Sequence, residues 1–526
     1  MLQIVKKYRN ELLLFAAAFP AAVLCYSVLI TNELTNTIDG MWIGSRYEYY
    51  AWVVTIGRWF WPVIGLMRRS LSPEPFTSLV SIGIITAGAC LIVRMFTVKS
   101  RGRAALVVSG LLINTAVCVF LSFRFMSPTF AFAFFLACFP VYLLRNKNLK
   151  LLRSKSLSEG LRCAAAAACL VLMLALYQAD LGCYCLLILL LAVKDLSESA
   201  DWKQAVRFSV KAGLAAALAC VAYKIIWDTG LRFFHVKAAS YKGADQLSLG
   251  RMILCFPSRF LDAYRTFFSY FYDNSLKHHI WQDSHVCAVI LIMLTAGVLF
   301  VAGAGALRFS RIHFLLSAAV VLMIPAAANV SMLIAVDGGD PVIQMTMPFV
   351  MVCPCLLALM DGIRRTDDRK AAGVTAICTV LMVFVLYGSF IMVSVDQHIM
   401  LTSRRITLSL MDRVIQKVES ETGLDPESEI VFIGKPVDNP LYRKDEVWDF
   451  SNPCARYGDF WLSGDGCTMS YGGLLRDGGY NIRLVEDHDY WHELEKDPEI
   501  REMPVYPQDG FIKRSGKYVI VKLSDQ

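Results

Sequence analysis

The feature that most constrains this chain is a row of apolar runs almost free of charge. They cover residues 11–30, 77–93, 104–121, 129–144, 161–177, 181–193, 209–227, 286–306, 312–335, 342–360 and 372–395. A bilayer core takes about 20 apolar residues per helix. Most of the runs fit that length, and those at 129–144 and 181–193 are the shortest. Across the 526 residues, 56% are apolar and only 18% charged, where an average soluble domain carries about 25% charge. The expected fold is mostly α: a polytopic membrane helix bundle of about eleven transmembrane helices within residues 1–396. A small α/β domain is expected to follow over residues 397–526.

Lys6, Lys7 and Arg9 precede the first run, which has no small-residue cleavage site. It therefore reads as a retained span rather than a signal peptide. The distribution of Lys and Arg sets the orientation, because basic loops stay cytoplasmic. With a cytoplasmic N-terminus, the inner loops carry Arg94, Lys99, Arg101 and Arg103, then Arg145, Lys147, Lys150, Arg153 and Lys155. The later inner loops carry Lys194, Lys203, Arg207, Arg308, Arg311, Arg364, Arg365, Arg369 and Lys370. The short outer loops at 179–181 and 337–341 have no basic residue. This parity holds only if AWVVTIGRWFWPVIGLM (51–67) does not cross. Arg58 and Pro62 interrupt it, so it reads as an interfacial or re-entrant helix on the outer face. The tail then lies outside the cell, and the protein is a multi-pass protein of the cell membrane. The net charge of +8 is explained by orientation and gives no sign of a nucleic-acid partner.

Two outer segments are long, 32–75 and 228–284. The second contains FPSRFLDAYRTFFSYFYD (256–273), whose mixture of rings and arginines suits a helix at headgroup level. In the tail, 397–423 reads as a polar helix ended by Gly423 and Pro426, and EIVFIG (429–434) and KYVIVKL (517–523) read as strands. WHELEKDP (491–498) reads as a short helix closed by Pro498. GDGCTMSYGG (464–473) lacks the spacing of a nucleotide-binding loop and reads as structural turns.

Most of the 16 cysteines lie inside apolar runs, where they behave as small apolar residues. None has the spacing of a zinc site. Cys454 and Cys467 alone fall in the tail, and an oxidising exterior would permit a disulfide between them.

Ionisable groups at membrane depth are functional candidates. Asp39, in NTIDGMW just after the first span, could accept a proton from an attacking hydroxyl, or be a solvated loop carboxylate. Glu48 is the alternative carboxylate nearby. Arg58, in TIGRWFW beside Trp59, could hold a lipid phosphate bidentately, or anchor the segment by snorkelling. Arg124, in SFRFMSP, is the only charge in a short outer turn and could be a second phosphate clamp. Tyr177 and Gln178, in LYQADLG, could hydrogen-bond a sugar or merely finish a helix. Asp337 and Asp340 flank a glycine turn and read as turn residues.

In their order, TIDGMW, GRWFWPV, SFRFMSPTF, LYQADLG and the closing MPVYPQDGFIKRSGKYVIVKL resemble the bacterial glucosyltransferase-domain family typified by the type II O-antigen glucosyltransferase. The resemblance covers nearly the whole chain. It implies a GT-C membrane glycosyltransferase that takes a sugar, expected to be glucose, from a polyprenyl-phosphate donor. The sugar passes to a cell-surface glycan acceptor on the outer face. Asp39 matches the catalytic carboxylate of the family's first outer loop. Arg58, Trp59, Arg124, Tyr177 and Gln178 would bind the donor. A single Asp at that loop, where many relatives carry an acidic pair, leaves open the exact base and a weakly bound Mg or Mn ion; no resident metal is otherwise indicated. The competing classes are a transporter or flippase of lipid-linked sugars, and a non-catalytic wall-assembly scaffold. Transporters often show inverted repeats, and none is visible.

Overall fold

A computed structural model of the chain describes residues 8–36, 51–69, 71–146, 150–151, 155–156, 158–243, 249–272, 284–335, 339, 341–363, 369–424, 427–459, 465–485 and 488–525. The N-terminal helices are α1 (Arg9–Cys25), α2 (Ser27–Thr31), α3 (Ala51–Thr55), α4 (Trp61–Arg68), α5 (Phe76–Phe96), α6 (Arg101–Leu112), α7 (Thr115–Ser122) and α8 (Ser127–Arg145). A short antiparallel pair of two-residue strands, β1 (Lys150–Leu151) with β2 (Lys155–Ser156), precedes α9 (Glu159–Leu176). Next come α10 (Leu181–Glu198), α11 (Trp202–Phe233), α12 (Leu249–Tyr272), α13 (Ser284–Leu307), α14 (Arg311–Leu322), α15 (Ile324–Ala328) and α16 (Val330–Ile334). The helical part closes with α17 (Met347–Val350), α18 (Val352–Gly362) and α19 (Arg369–Thr422).

Among the described residues six helices, α5, α8, α9, α11, α13 and α19, are long and apolar enough to cross a bilayer, and α6 with α7 adds a seventh if that pair, bent by 47°, is one span. The 21 residues of α5 give a rod of about 31 Å, the thickness of the hydrocarbon core. The bend between α6 and α7 falls at Asn114, whose side chain caps α7 by accepting from Val117 N at 3.0 Å. The other four expected spans are helical but interrupted or charged. The first breaks at Tyr26, and α10 ends in Lys194, Asp195 and Glu198. Pro325 and Pro348 each start a new short helix in the ninth and tenth runs, as expected for a residue that suits only the first helical turn.

Residues 51–67 form the two short helices α3 and α4 around a turn, and neither is long enough to cross. The aromatic segment lies in α12 as far as Tyr272, with Ala263, Phe267 and Phe271 buried and Phe256, Leu261, Phe268 and Tyr272 exposed. That two-faced pattern is consistent with the expected helix at a membrane surface.

The tail differs from expectation in two places. The polar helix does not begin at 397: α19 is one helix of 54 residues, about 80 Å long. It ends as expected, with Gly423 at φ +58. Both faces of the junction are occupied, so nothing breaks the helix there. Leu29 N donates to Gln397 Oε1 (3.0 Å) and Gln397 Nε2 donates to Cys25 O (3.0 Å), so Gln397 fills the gap at the break in the first span. Asn452 N donates to Asp396 (2.9 Å), Tyr457 N to Ser403 Oγ (3.0 Å) and Thr407 Oγ1 to Tyr457 O (3.2 Å) from the tail side. The second difference is the glycine-rich stretch. Asp465–Asp477 is a helix, α20, not a set of turns. Tyr471, Leu474 and Leu475 are buried on it, and Tyr471 packs on Phe432 at 4.6 Å; this burial outweighs the poor helix propensity of glycine.

Both predicted strands form. β3 (Glu429–Ile433) lies between β4 (Arg483–Leu484) and β6 (Tyr518–Lys522), parallel to both, and β5 (Ile512–Ser515) pairs antiparallel with β6. The predicted short helix is α21 (His488–Lys496), and Pro498 opens α22 (Pro498–Glu502). Cys454 is a buried free thiol, and the Cys467 side chain lies outside the described residues.

Candidate active site

The motif LYQADLG makes a sharp corner. α9 stops at Leu176, Tyr177 is extended, Gln178–Asp180 make one 3-10 turn, and α10 starts at Leu181. The TIGRWFW segment packs against this corner. Its turn between α3 and α4 requires a glycine: Gly57 has φ +78, and a Cβ there would lie 2.0 Å from the Tyr223 hydroxyl.

Side chains of α4, α11 and the corner fix that turn. Gln178 Nε2 donates to Ile56 O (3.1 Å) and to the Tyr223 hydroxyl (2.9 Å), and Tyr223 donates to Gly57 O (3.0 Å). Trp227 Nε1 donates to Val54 O (2.6 Å), and Trp61 Nε1 to Leu176 O (2.7 Å). Arg58 is thereby held with its guanidinium 4.8 Å from the centre of the Trp61 ring and 5.5 Å from that of Tyr177. Such contacts stabilise a cation at modest strength. Among the described residues Arg58 has no hydrogen bond from its side chain and no ion pair, and its Nε is buried without a partner.

A cavity of about 470 Å³ opens beside this guanidinium, lined by Arg58, Tyr177, Gln178, Tyr223, Lys224 and Trp227 among others. Its remaining walls include Tyr241, Lys242 and Gln344, with apolar Leu174, Val221, Ile334 and Met345. The Tyr177 hydroxyl is buried with no partner among the described residues. Lys224 lies 5.0 Å over the Trp227 ring and pairs with Asp228 one turn on.

Three of the predicted residues, Arg58, Tyr177 and Gln178, thus share one cavity. Arg124 and Trp59 do not line it. Arg124 is tied to the end of the first span, donating to Glu33 O (3.1 Å) and pairing with its carboxylate (3.4 Å). A chain of ring contacts links the Tyr177 corner to the Arg124 turn: Tyr177 meets Phe130 at 4.7 Å, and Phe130 meets Phe123 at 6.0 Å. Trp59 packs edge-on to Phe60, its ring N–H buried without a partner among the described residues. Asp39, Glu48, Asp337 and Asp340 lie outside the described residues. Asn36, three residues before Asp39, is held at the Arg124 turn: its backbone N donates to Ser122 O (3.1 Å) and its side chain to Ser122 Oγ (3.2 Å). Among the described residues no cluster of three His, Cys, Asp or Glu groups could hold a metal ion.

The family described as "Glucosyl transferase GtrII" matches residues 9–359. The chain belongs to the GtrII glucosyltransferase family. It is therefore a glycosyltransferase of the glucosyl-transferring kind, and its long apolar helices make it a membrane protein. Searches among curated proteins and among solved structures gave no match. The GtrII match takes in Asp39, both arginines and the cavity walls, and ends before α19 and the tail. The tail motif, part of the resemblance read from sequence, lies beyond it.

Sequence reasoning missed Tyr223, Lys224 and Trp227. A signal was present: Lys224 is the only charge in the last three turns of the apolar run 209–227, and Asp228 follows it directly. It also passed over Asp180, which is fully buried, with one oxygen 3.9 Å from Cys183 Sγ and the other unpartnered among the described residues.

Proposed function

We propose that this GtrII protein transfers glucose from a polyprenyl-phosphate donor to a cell-surface glycan at the outer membrane face, with Asp39 as the base. The observation that carries the reading is the Arg58 guanidinium, held by rings and without an anion among the described residues, beside a mostly apolar cavity. A cation at membrane depth with no counter-charge is costly, and a phosphate bound there would offset that cost. The donor is amphiphilic in the same sense as the cavity: a prenyl chain suits Leu174, Val221 and Ile334, and its phosphate suits Arg58 and Lys224.

The chemistry uses both charges. The acceptor hydroxyl attacks the anomeric carbon and gives its proton to a carboxylate, while the bond from that carbon to the phosphate oxygen breaks. The departing polyprenyl phosphate gains negative charge, which a fixed guanidinium stabilises. Asp39 is the proposed base, on the segment that leaves the Asn36–Ser122 contact, with Glu48 as the alternative. In this reading the N-terminus is cytoplasmic, about eleven helices cross, and the tail lies outside.

The test incubates the purified full chain with polyprenyl-phosphate glucose and acceptor glycan and measures released polyprenyl phosphate. Asp39→Asn should bind donor and release none. Arg58→Ala should weaken donor binding. Movement of the intact lipid-linked sugar across a vesicle bilayer without release would instead establish the transporter class, and parental release by Asp39→Asn would remove Asp39 as base.

A further inference from the structure

A second cavity lies at the far ends of α5 and α8 from the Arg124 turn. Its volume is about 750 Å³, and four helix ends meet around it: the start of α1, the end of α5, the start of α6 and the end of α8. Ends of membrane helices mark the level where hydrocarbon gives way to water. This cavity sits at that level and takes no part in the chemistry proposed above.

Its charge is uneven. Arg94, Lys99, Arg101 and Arg145 line it, against a single carboxylate among the described residues, Glu11. Two of the four cations are neutralised: Arg94 pairs with Glu11, and Arg145 makes a bidentate pair with Asp195 at 2.9 and 2.7 Å. The other two are not. Lys99 Nζ donates to the Ile363 carbonyl at 2.9 Å but meets no carboxylate among the described residues, and the Arg101 side chain has no hydrogen bond or ion pair among them. Below this charged rim the wall turns apolar, with Leu13, Leu14 and Ala17 on α1 and Ala104 and Ala105 on α6. Glu11 and Ala17 are six residues apart, so the groove runs about 9 Å along α1 from the rim toward the bilayer centre.

We propose that this cavity binds one anionic phospholipid, its phosphodiester held by Lys99 and Arg101 and its acyl chains lying along α1 and α6. Basic pockets between membrane helices recognise anionic headgroups in this way. A free phosphate would satisfy the rim and leave the apolar groove uncovered. A zwitterionic lipid would bring an ammonium to a rim whose one carboxylate is already paired with Arg94.

The test titrates the purified full chain in neutral detergent with phosphatidylglycerol, phosphatidylcholine or inorganic phosphate. Retained lipid is read by native mass spectrometry and the unfolding temperature by a thermal scan. The parent should retain one phosphatidylglycerol and unfold at higher temperature with it, and show neither effect with the other two. The double variant Lys99→Gln/Arg101→Gln alters two exposed side chains, and should keep the parent's unfolding temperature without lipid. It should bind phosphatidylglycerol about twenty-fivefold more weakly, the product of two roughly fivefold contributions, one per basic side chain. Parental affinity in the double variant, equal retention of phosphatidylcholine, or an equal thermal effect from inorganic phosphate would each overturn the proposal. Ala104→Trp, which fills the apolar groove and leaves both cations, should also lower phosphatidylglycerol retention; unchanged retention there would likewise overturn it.

Discussion

Gly57→Ala should disable the site through geometry alone, because it touches no charge. Two costs can be worked from the structure. An L-residue at φ +78 pays about 1–2 kcal/mol for the left-handed conformation. The new Cβ would lie 2.0 Å from the Tyr223 hydroxyl, so that ring must move and give up its bonds to Gly57 O and Gln178 Nε2. Each bond contributes about 1 kcal/mol net. The arrangement that presents Arg58 therefore loses about 3–4 kcal/mol, which is two to three orders of magnitude in kcat/KM for polyprenyl phosphate release.

Tyr223→Phe supplies the control. Alone it removes both bonds and the clashing oxygen, at about 2 kcal/mol. In the double variant the oxygen is already absent, so the loss should stay near 3–4 kcal/mol rather than reach the sum of the two single effects. A coupling of about 2 kcal/mol is expected, well above the additivity error for independent sites. The assay is the initial rate at donor concentrations below KM, with the unfolding temperature measured alongside. Gly57→Ala within threefold of the parent, or strict additivity, would refute the idea that this turn sets the position of Arg58.

Other outcomes follow from the same contacts. Arg124→Ala should lower turnover while leaving the donor KM within about threefold, since Arg124 holds Glu33 outside the cavity; a KM rise equal to that of Arg58→Ala would put both arginines on the phosphate. Gln397→Leu should destabilise the protein by about 2–4 kcal/mol, because it strips two partners from buried backbone at the break in the first span, and an unchanged unfolding temperature would refute that account. Burial, then the neighbouring Asp396, pushes the Cys454 thiol up to about 12, so it should resist maleimide until the chain is denatured; failure to label after denaturation without reductant would reveal the Cys454–Cys467 bond suggested by the sequence. Cysteines engineered into 145–155 should be protected from an impermeant reagent in intact cells and those on the 400–526 surface labelled, and the reverse pattern would invert the topology.

What was legible in the sequence was chemistry tied to composition and to local breaks. A long apolar run such as 76–96 has few alternatives to a helix, and LYQADLG shows its corner through the polar residues that interrupt an apolar stretch. Arg58, Tyr177 and Gln178 were readable because each is polar where its neighbours are not. Tyr223 and Trp227 were not, because an aromatic ring in a membrane helix gives no hint of whether its polar edge faces lipid or clamps a turn 166 or 173 residues away. The helix over 465–477 was hidden for a related reason. Local propensity argued for turns, and the decision lay with a distant partner, the Phe432 ring on β3. The continuous helix 369–422 was hidden because the change from apolar to polar at 396 marks a change of surroundings, which a helix can cross without changing its backbone.

That continuity ties the tail to the proposed reaction centre even though the GtrII match ends at residue 359. Within two turns of α19, Asp396 accepts from Asn452 of the tail, Gln397 grips the break in the first span, and Arg404 donates to Asn32 O at 3.3 Å. Asn32 lies four residues before Asn36, which is itself held at Ser122, and the segment that carries Asp39 starts there. The backbone leading to the proposed base is therefore held on one side by α7 and the Arg124 turn and on the other by the helix on which the tail is built. Arg58 is held separately, by Gln178 and Tyr223. A tail that moved relative to the bundle would carry the α19 contacts, and with them the approach to Asp39, while leaving the proposed phosphate cradle in place. In such an arrangement the proposed acceptor side would respond to the tail without disturbing the proposed donor site.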